Sequence, residues 1–235
     1  MSAIGEANAP LDVVVKLRAR VHGAGVGLAA ELIASLFACD LGISLAPPVL
    51  VIVEADLADQ AAQPRDVNDI TASAGVNFGS RFLQPAATLS VGPELPSWLV
   101  EEAGQLLAFD ALIQNTDRHP DKPNCLVYRN EIVPIDHELA FPFLHGQLLP
   151  QPWMARGLEF LRTHVVFERL LGQLPSFDRI EANAAKITDE RLASYRAAIP
   201  TAWNAENEVK QATDFLMELR PYVPHVLSEL RSMLR

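Results

Sequence analysis

The chain, 235 residues long, has little of several things. Two cysteines, Cys39 and Cys125, are too few for a disulfide framework or a cysteine-built zinc site. One lies in a helical apolar pattern and the other opens a strand, so both are expected as buried reduced thiols. No apolar run approaches the ~18–20 residues that a membrane span needs, and the longest, Leu45 to Val53, contains two prolines. Met1 to Glu6 does not pair a basic region with an apolar one, so no secretion signal is read there and a cytoplasmic location is expected. Positive charge is scarce as well. With 19 Lys and Arg against 29 Asp and Glu, the net charge of −10 argues against direct nucleic-acid binding and against an anionic membrane surface. Internal repeats and low-complexity segments are missing from the sequence.

What is present is apolar bulk, 49 % of the residues, enough for a substantial core in one large domain or in two small lobes around a cleft. Asp12 to Leu17 is apolar and β-branched with a single lysine, Lys16, and reads as a buried strand. A helical stretch opens at Gly23 and runs to about Cys39, carrying Leu28, Ile33, Leu36 and Phe37 with Glu31 among them, and Gly42 closes it. Pro47-Pro48 introduces a second strand, Val49 to Glu54, because the residue before a proline is pushed to extended geometry. Ala55 to Ala74 reads as a loop or short surface helix, and Gly75 to Leu83 alternates as a third strand. Pro85 to Pro96 is the best linker. Ser97 is then placed to cap a long helix with Glu101 and Glu102 in its first turn. A hairpin spans Leu126 to Ile135, and helices are expected over Leu161–Leu171, Phe177–Lys186, Asp189–Ala198 and Val209–Leu234. The fold class is therefore α+β in two lobes: a strand-rich N-terminal lobe over 1–84, the linker over 85–96 and a helical C-terminal lobe over 97–235. A site is expected in the cleft between them.

The densest chemistry lies between Phe109 and Phe141. Asp117 follows a helical pattern in a charged loop, Asn124 ends that loop, and Asp136 stands at the end of the hairpin. Phosphoryl transfer asks a protein for a carboxylate to orient the attacking hydroxyl, oxygen ligands for Mg²⁺ and a cation on the nucleotide phosphates. Asp117 suits the first role. Asp136 and Asn124 suit the second, since Mg²⁺ takes few protein oxygens and keeps several waters. Lys16 suits the third, with Glu31 as its partner, because an ammonium in an apolar strand is costly alone. Each has a plainer reading: Lys16 as an edge-strand lysine facing water, Glu31 as a surface glutamate, Asp136 as the cap of a turn. Their joint order along the chain favours a shared site. The same aspartates with His119, Asp121 and His137 also read as a zinc or manganese hydrolase centre, which leaves Lys16 and Glu31 without a role. His22, His145, His164 and His225 show no ligand spacing and are expected to be structural or exposed.

These residues sit in stretches that carry a resemblance: Val-Val-Lys-Leu at 14–17, Ala-Glu-Leu-Ile at 30–33, Phe-Gly-Ser-Arg-Phe at 78–82, Phe-Asp-Ala-Leu-Ile-Gln-Asn-Thr-Asp-Arg at 109–118 and Ile-Asp-His-Glu-Leu-Ala-Phe at 135–141. The chain resembles the HipA-like kinases, in particular their compact stand-alone branch, and more distantly the phosphatidylinositol kinases. The resemblance implies a protein-kinase-like fold with a reduced N-terminal β lobe, binding of ATP and Mg²⁺, and transfer of the γ-phosphoryl group to a serine or threonine of a protein. It implies that Lys16 holds the phosphates and Glu31 orients it, that Asp117 is the catalytic aspartate, and that Asn124 and Asp136 hold Mg²⁺. The adenine-binding connector falls at Phe82, Leu83 and Gln84.

Two departures from the family pattern stand out. The metal asparagine belongs five residues after the catalytic aspartate, where this chain has Lys122. Either Asn124 takes over the metal, or Lys122 binds phosphate in place of a metal charge, or the site is weakened, which leaves a pseudokinase or nucleotide-binding module as the alternative. Fifteen residues precede Lys16, few for two strands and a full glycine-rich loop, of which Gly5 to Ala9 reads as a vestige. Toxins of the family pair with a small helix-turn-helix antitoxin, so such a partner is what the resemblance implies, alongside a protein substrate of unknown identity.

Overall fold

The computed structural model describes residues 10–89, 92 and 94–235. The Gly5–Ala9 stretch, and Ser90, Val91 and Pro93 of the expected linker, lie outside the described residues. Three segments, the β-branched β1 (Val13–Lys16) and β2 (Pro48–Val53) and the alternating β3 (Gly75–Arg81), form an antiparallel sheet in the order β1-β3-β2, with Lys16 opposite Phe78 and Val14 opposite Ser80. Between the first two runs α1 (Gly25–Leu41), which buries Leu28, Ile33, Phe37, Leu41 and most of its alanines, as a helix apolar nearly all round must. It closes at Gly42, whose φ of 76° is the left-handed geometry that glycine adopts without strain. The Ala55–Ala74 stretch is mostly helical: a 3-10 turn (Ala55–Gln60) and α2 (Pro64–Ala72).

The expected linker contributes a short strand, β4 (Ala87–Thr88), to a second sheet in the order β4-β5-β6, with β5 (Cys125–Tyr128) and β6 (Glu131–Pro134) forming the hairpin. The long helix is α3 (Val100–Ile113), but Ser97 does not cap it. Pro96 holds the chain extended and Leu99 N–H bonds back to its carbonyl at 2.8 Å, so Ser97 opens a 3-10 turn and Glu101 and Glu102 alone serve the helix start.

The remaining helices are α4 (Phe167–Leu170), α5 (Asp178–Ala184), α6 (Asp189–Ala198), α7 (Glu206–Leu219) and α8 (Val223–Met233). Two expected helices are interrupted. The 161–171 segment breaks into a 3-10 turn (Glu159–Thr163) and a single helical turn, because Val165 N–H bonds to Arg118 O and cannot join a local ladder. Val209–Leu234 divides at Arg220–Tyr222, where Pro221 and Pro224 remove backbone donors.

One buried cluster runs from α1 through α3 into the C-terminal helices, with Phe37, Leu107, Phe177, Leu192, Leu216 and Leu227 among its members. The helical region grips both ends of α1. Trp203 donates its indole N–H to Val76 O at 2.8 Å and lies against Gly25, while Asn183 bonds Leu41 O and Arg191 and Tyr195 bond Asp40. The molecule is thus the expected two-lobed α+β fold, with α1 held to the helical lobe. Cys125 is buried, and burial pushes its thiol up to about 11. Cys39, contrary to expectation, is exposed, since Phe37, Ala38 and Leu41 take the inward face of the last helical turns; both thiols are free. Among the described residues no helix is long and apolar enough to cross a membrane.

Candidate functional site

Lys16 ends β1 with its ammonium turned toward α1 and the hairpin base. There it meets Glu31 at 2.7 Å, Glu138 at 3.0 Å and Asp136, one carboxylate for each of its three protons. Burial alone would lower its pKa, but Glu31 and Asp136 outweigh burial and raise it, so the lysine is charged throughout the working range. Glu31 is buried in α1, its side chain only 4 % exposed. Burial works against its charge. Hydrogen bonds from His137, through the backbone N–H at 2.7 Å and Nδ1 at 3.2 Å, and the charge of Lys16 reverse that and bring the carboxyl down to about 2. Asp136 is held below the ordinary carboxylate range, the Lys16 charge overcoming its burial.

A second lysine extends this line of charge. Lys122 lies 2.5 Å from Asp117 Oδ2 and 3.3 Å from Asp136 Oδ2, so its ammonium joins the two aspartates. Asn124 donates its side-chain amide to the same Asp117 oxygen at 3.1 Å. Asn124 and Asp136 both have positive φ, 46° and 63°, a geometry that these two residue types tolerate better than most and that recurs at functional sites.

The backbone of this loop is fixed from beneath by Arg118, whose side chain is fully buried against the equally buried Asp110, with Nε at 2.5 Å from Oδ2. Arg118 also donates to Asn124 O and, at 3.3 Å, to Ile135 O, the carbonyl just before Asp136. His164 completes the cluster. Its Nε2 lies 2.8 Å from Asp110, and its Nδ1 accepts the Val166 N–H at 3.3 Å, so the ring is in the neutral Nε2–H form, in keeping with a pKa lowered by burial.

Above the charges opens a cleft of about 320 Å³. Val14, Leu45, Ala46, Phe78, Leu126 and Ile135 form its apolar walls, and Lys16, Glu31, Asn124, Asp136 and His137 its polar end. Phe82 and Leu83 line this cleft, whereas Gln84 is exposed and lies in an adjoining shallow hollow with Pro85 and Ala86. Asp117 and Lys122 are off its wall, joined to it through Asn124 and Asp136. A wider hollow of about 580 Å³ among the C-terminal helices contains none of the residues singled out by the sequence, and its Arg220 is paired with Asp189. Among the described residues no three or more His, Cys, Asp or Glu side chains are grouped to hold a metal ion by themselves.

The structure thus brings together Lys16, Glu31, Asp117, Lys122, Asn124 and Asp136. Sequence reasoning missed Glu138, Arg118 and Asp110; His137 was read only as a metal ligand, and His164 is the structural histidine expected, buried against Asp110. The one available signal was Asp110, a lone carboxylate in the apolar run from Ala108 to Ile113, which needs a cation somewhere.

The family model for HipA-like kinases matches residues 15–226, which takes in every residue of the site. No curated protein and no solved structure matches the chain. With the match running over most of its length, the chain belongs to the HipA-like kinase family.

Proposed function

We propose that the chain is an ATP- and Mg²⁺-dependent kinase that transfers the γ-phosphoryl group to the hydroxyl of a serine or threonine in a protein. The observation that carries the reading is the unbroken line of ion pairs that starts at the polar end of an apolar cleft with Glu31, Lys16 and Asp136 and continues beyond its wall through Lys122 to Asp117. The donor set fits the implied cofactor: Asp136 and Asn124 offer hard oxygen ligands of the kind Mg²⁺ takes. When bound, Mg²⁺-ATP supplies the phosphoryl group and neutralises its oxygens. Lys16 is suited to the nucleotide phosphates, with Glu31 and His137 fixing where its ammonium points. Asp117 is suited to orient the acceptor hydroxyl and take its proton. The apolar walls suit a flat base and exclude water. Labelled ATP with Mg²⁺ is expected to label protein on serine or threonine with the native chain, and Asp117→Ala and Asp136→Ala are each expected to lose ~100-fold or more. Equal labelling by all three overturns the reading.

One observation favours a second reading, a nucleotide-binding module without transfer: Lys122 and Asn124 both engage the Asp117 oxygen. It predicts thermal stabilisation by Mg²⁺-ATP with no label passed to protein, lipid or small-molecule hydroxyls. Family membership also motivates a small helix-turn-helix antitoxin as partner, tested by co-purification with the product of a neighbouring reading frame.

A further inference from the structure

The most unusual element of the site is the cation at its centre. Lys122 is placed there by a tight loop: His119 N–H bonds to Lys122 O at 3.3 Å and Lys122 N–H to His119 O at 2.9 Å, closing the turn through Pro120 and Asp121. The turn delivers the ammonium to Asp117 and Asp136. Its side chain is 44 % exposed, so an incoming anion can reach it and bond to the ammonium.

The charge balance gives this placement a consequence. Glu31, Asp117, Asp136 and Glu138 set four carboxylates against the two ammonium groups of Lys16 and Lys122. A polyanionic nucleotide is repelled by the remaining negative charge, and one divalent ion cancels it. With an asparagine at 122 the deficit is larger by one, and a single divalent ion leaves the site negative. We propose that Lys122 supplies one of the positive charges that a second divalent cation would bring, contacting the terminal phosphates itself, so that the chain binds ATP with a single metal ion and loses less affinity without one than it would with an asparagine at 122. This rests on the kinase reading above and assigns the phosphate-side charge within it.

The test is calorimetric titration of the whole chain with a non-hydrolysable ATP analogue, in Mg²⁺ and in EDTA, for the native protein, Lys122→Asn and Lys122→Arg. Melting curves without ligand establish that each variant is folded. Removing Mg²⁺ is expected to weaken binding ~10-fold or less in the native chain and in Lys122→Arg. Lys122→Asn is expected to lose a further factor of ~10 or more, the worth of one unit charge a few Å from the phosphates at intermediate dielectric. An equal loss in the native chain and Lys122→Asn overturns the proposal while leaving the kinase reading intact. Tighter binding by Lys122→Asn in both buffers also overturns it, since Lys122 is then a plug over the aspartates. Absence of binding by the native chain in either buffer defeats both the kinase reading and this assignment.

Discussion

At the scale of single residues, the most consequential groups are ones that touch no substrate in the proposed reaction. Arg118 and Asp110 form an ion pair with no exposed side-chain surface, and such a pair adds little net stability, yet removing one partner strands the other. Asp110→Asn and Arg118→Met are each expected to cost about 3–5 kcal/mol in urea unfolding. Arg118→Lys is not expected to rescue, because a single ammonium cannot reach Asp110 and the carbonyls of Asn124 and Ile135 at once. Buried groups of the site and of this cluster set a pH dependence. Glu31 titrates near 2 in the fold against 4.5 in the free chain, so its contribution is present above pH 4.5 and is lost as pH falls toward 2. His164 is held neutral below its ordinary 6.5, so the unfolded chain takes up a proton that the native one refuses, and stability drops as pH falls from 6.5. Urea midpoints measured from pH 8 to pH 4 are expected to fall throughout the acid half. His164→Gln is expected to flatten the portion just below 6.5, and an unchanged slope in that variant contradicts the assignment.

At the scale of elements, α1 matters because it carries Glu31, and its position is set from the far end of the chain. A Cβ built on Gly25 comes within 1.9 Å of Trp203 O, so the helix start and the Thr201–Trp203 turn are packed backbone to backbone. Gly25→Ala is expected to cost about 1–3 kcal/mol by overpacking and to weaken ATP binding as the helix and Glu31 shift together; nucleotide titration of the folded variant checks the second effect. That α1 exists at all, with a glycine stop at Gly42, was legible in its apolar run, as were the three strands and the hairpin, because their periodicities are local. Lys16 and Glu31 were legible for the opposite reason, as lone charges in apolar patterns that demanded partners. The break after Thr163 was not legible, since His164 and Val165 turn aside to serve Asp110 and Arg118, more than forty residues away in the chain. Arg118 itself reads as a turn residue beside Asp117 until Asp110 is found beneath it. Pro221 and Pro224 were visible but yielded to an apolar period that continues across them from α7 into α8.

At the scale of the whole molecule, the cleft is walled by strands of both sheets, with Val14, Lys16 and Phe78 from one and Leu126 and Pro134 from the other, so a nucleotide bound there as proposed would tie the lobes together. A ligand that binds only the folded state stabilises it by RT ln(1 + [L]/Kd), about 2.7 kcal/mol at a hundredfold excess, which thermal unfolding reads directly. The site residues should then separate by what they hold. Lys16→Met is expected to lose the ATP-induced shift, since the phosphates lose the cation that Glu31 and Asp136 position. Asp136→Ala is expected to keep a shift that Mg²⁺ no longer enlarges, because the lost group is the proposed metal ligand and its removal also relieves negative charge. Asp117→Ala is expected to shift as the native chain does while transferring nothing, because orienting an acceptor hydroxyl contributes to the reaction and not to nucleotide affinity. A set of variants that all lose the shift together would mean that the aspartates hold the cleft's shape, and the division of roles along the line from Lys16 to Asp117 would have to be abandoned.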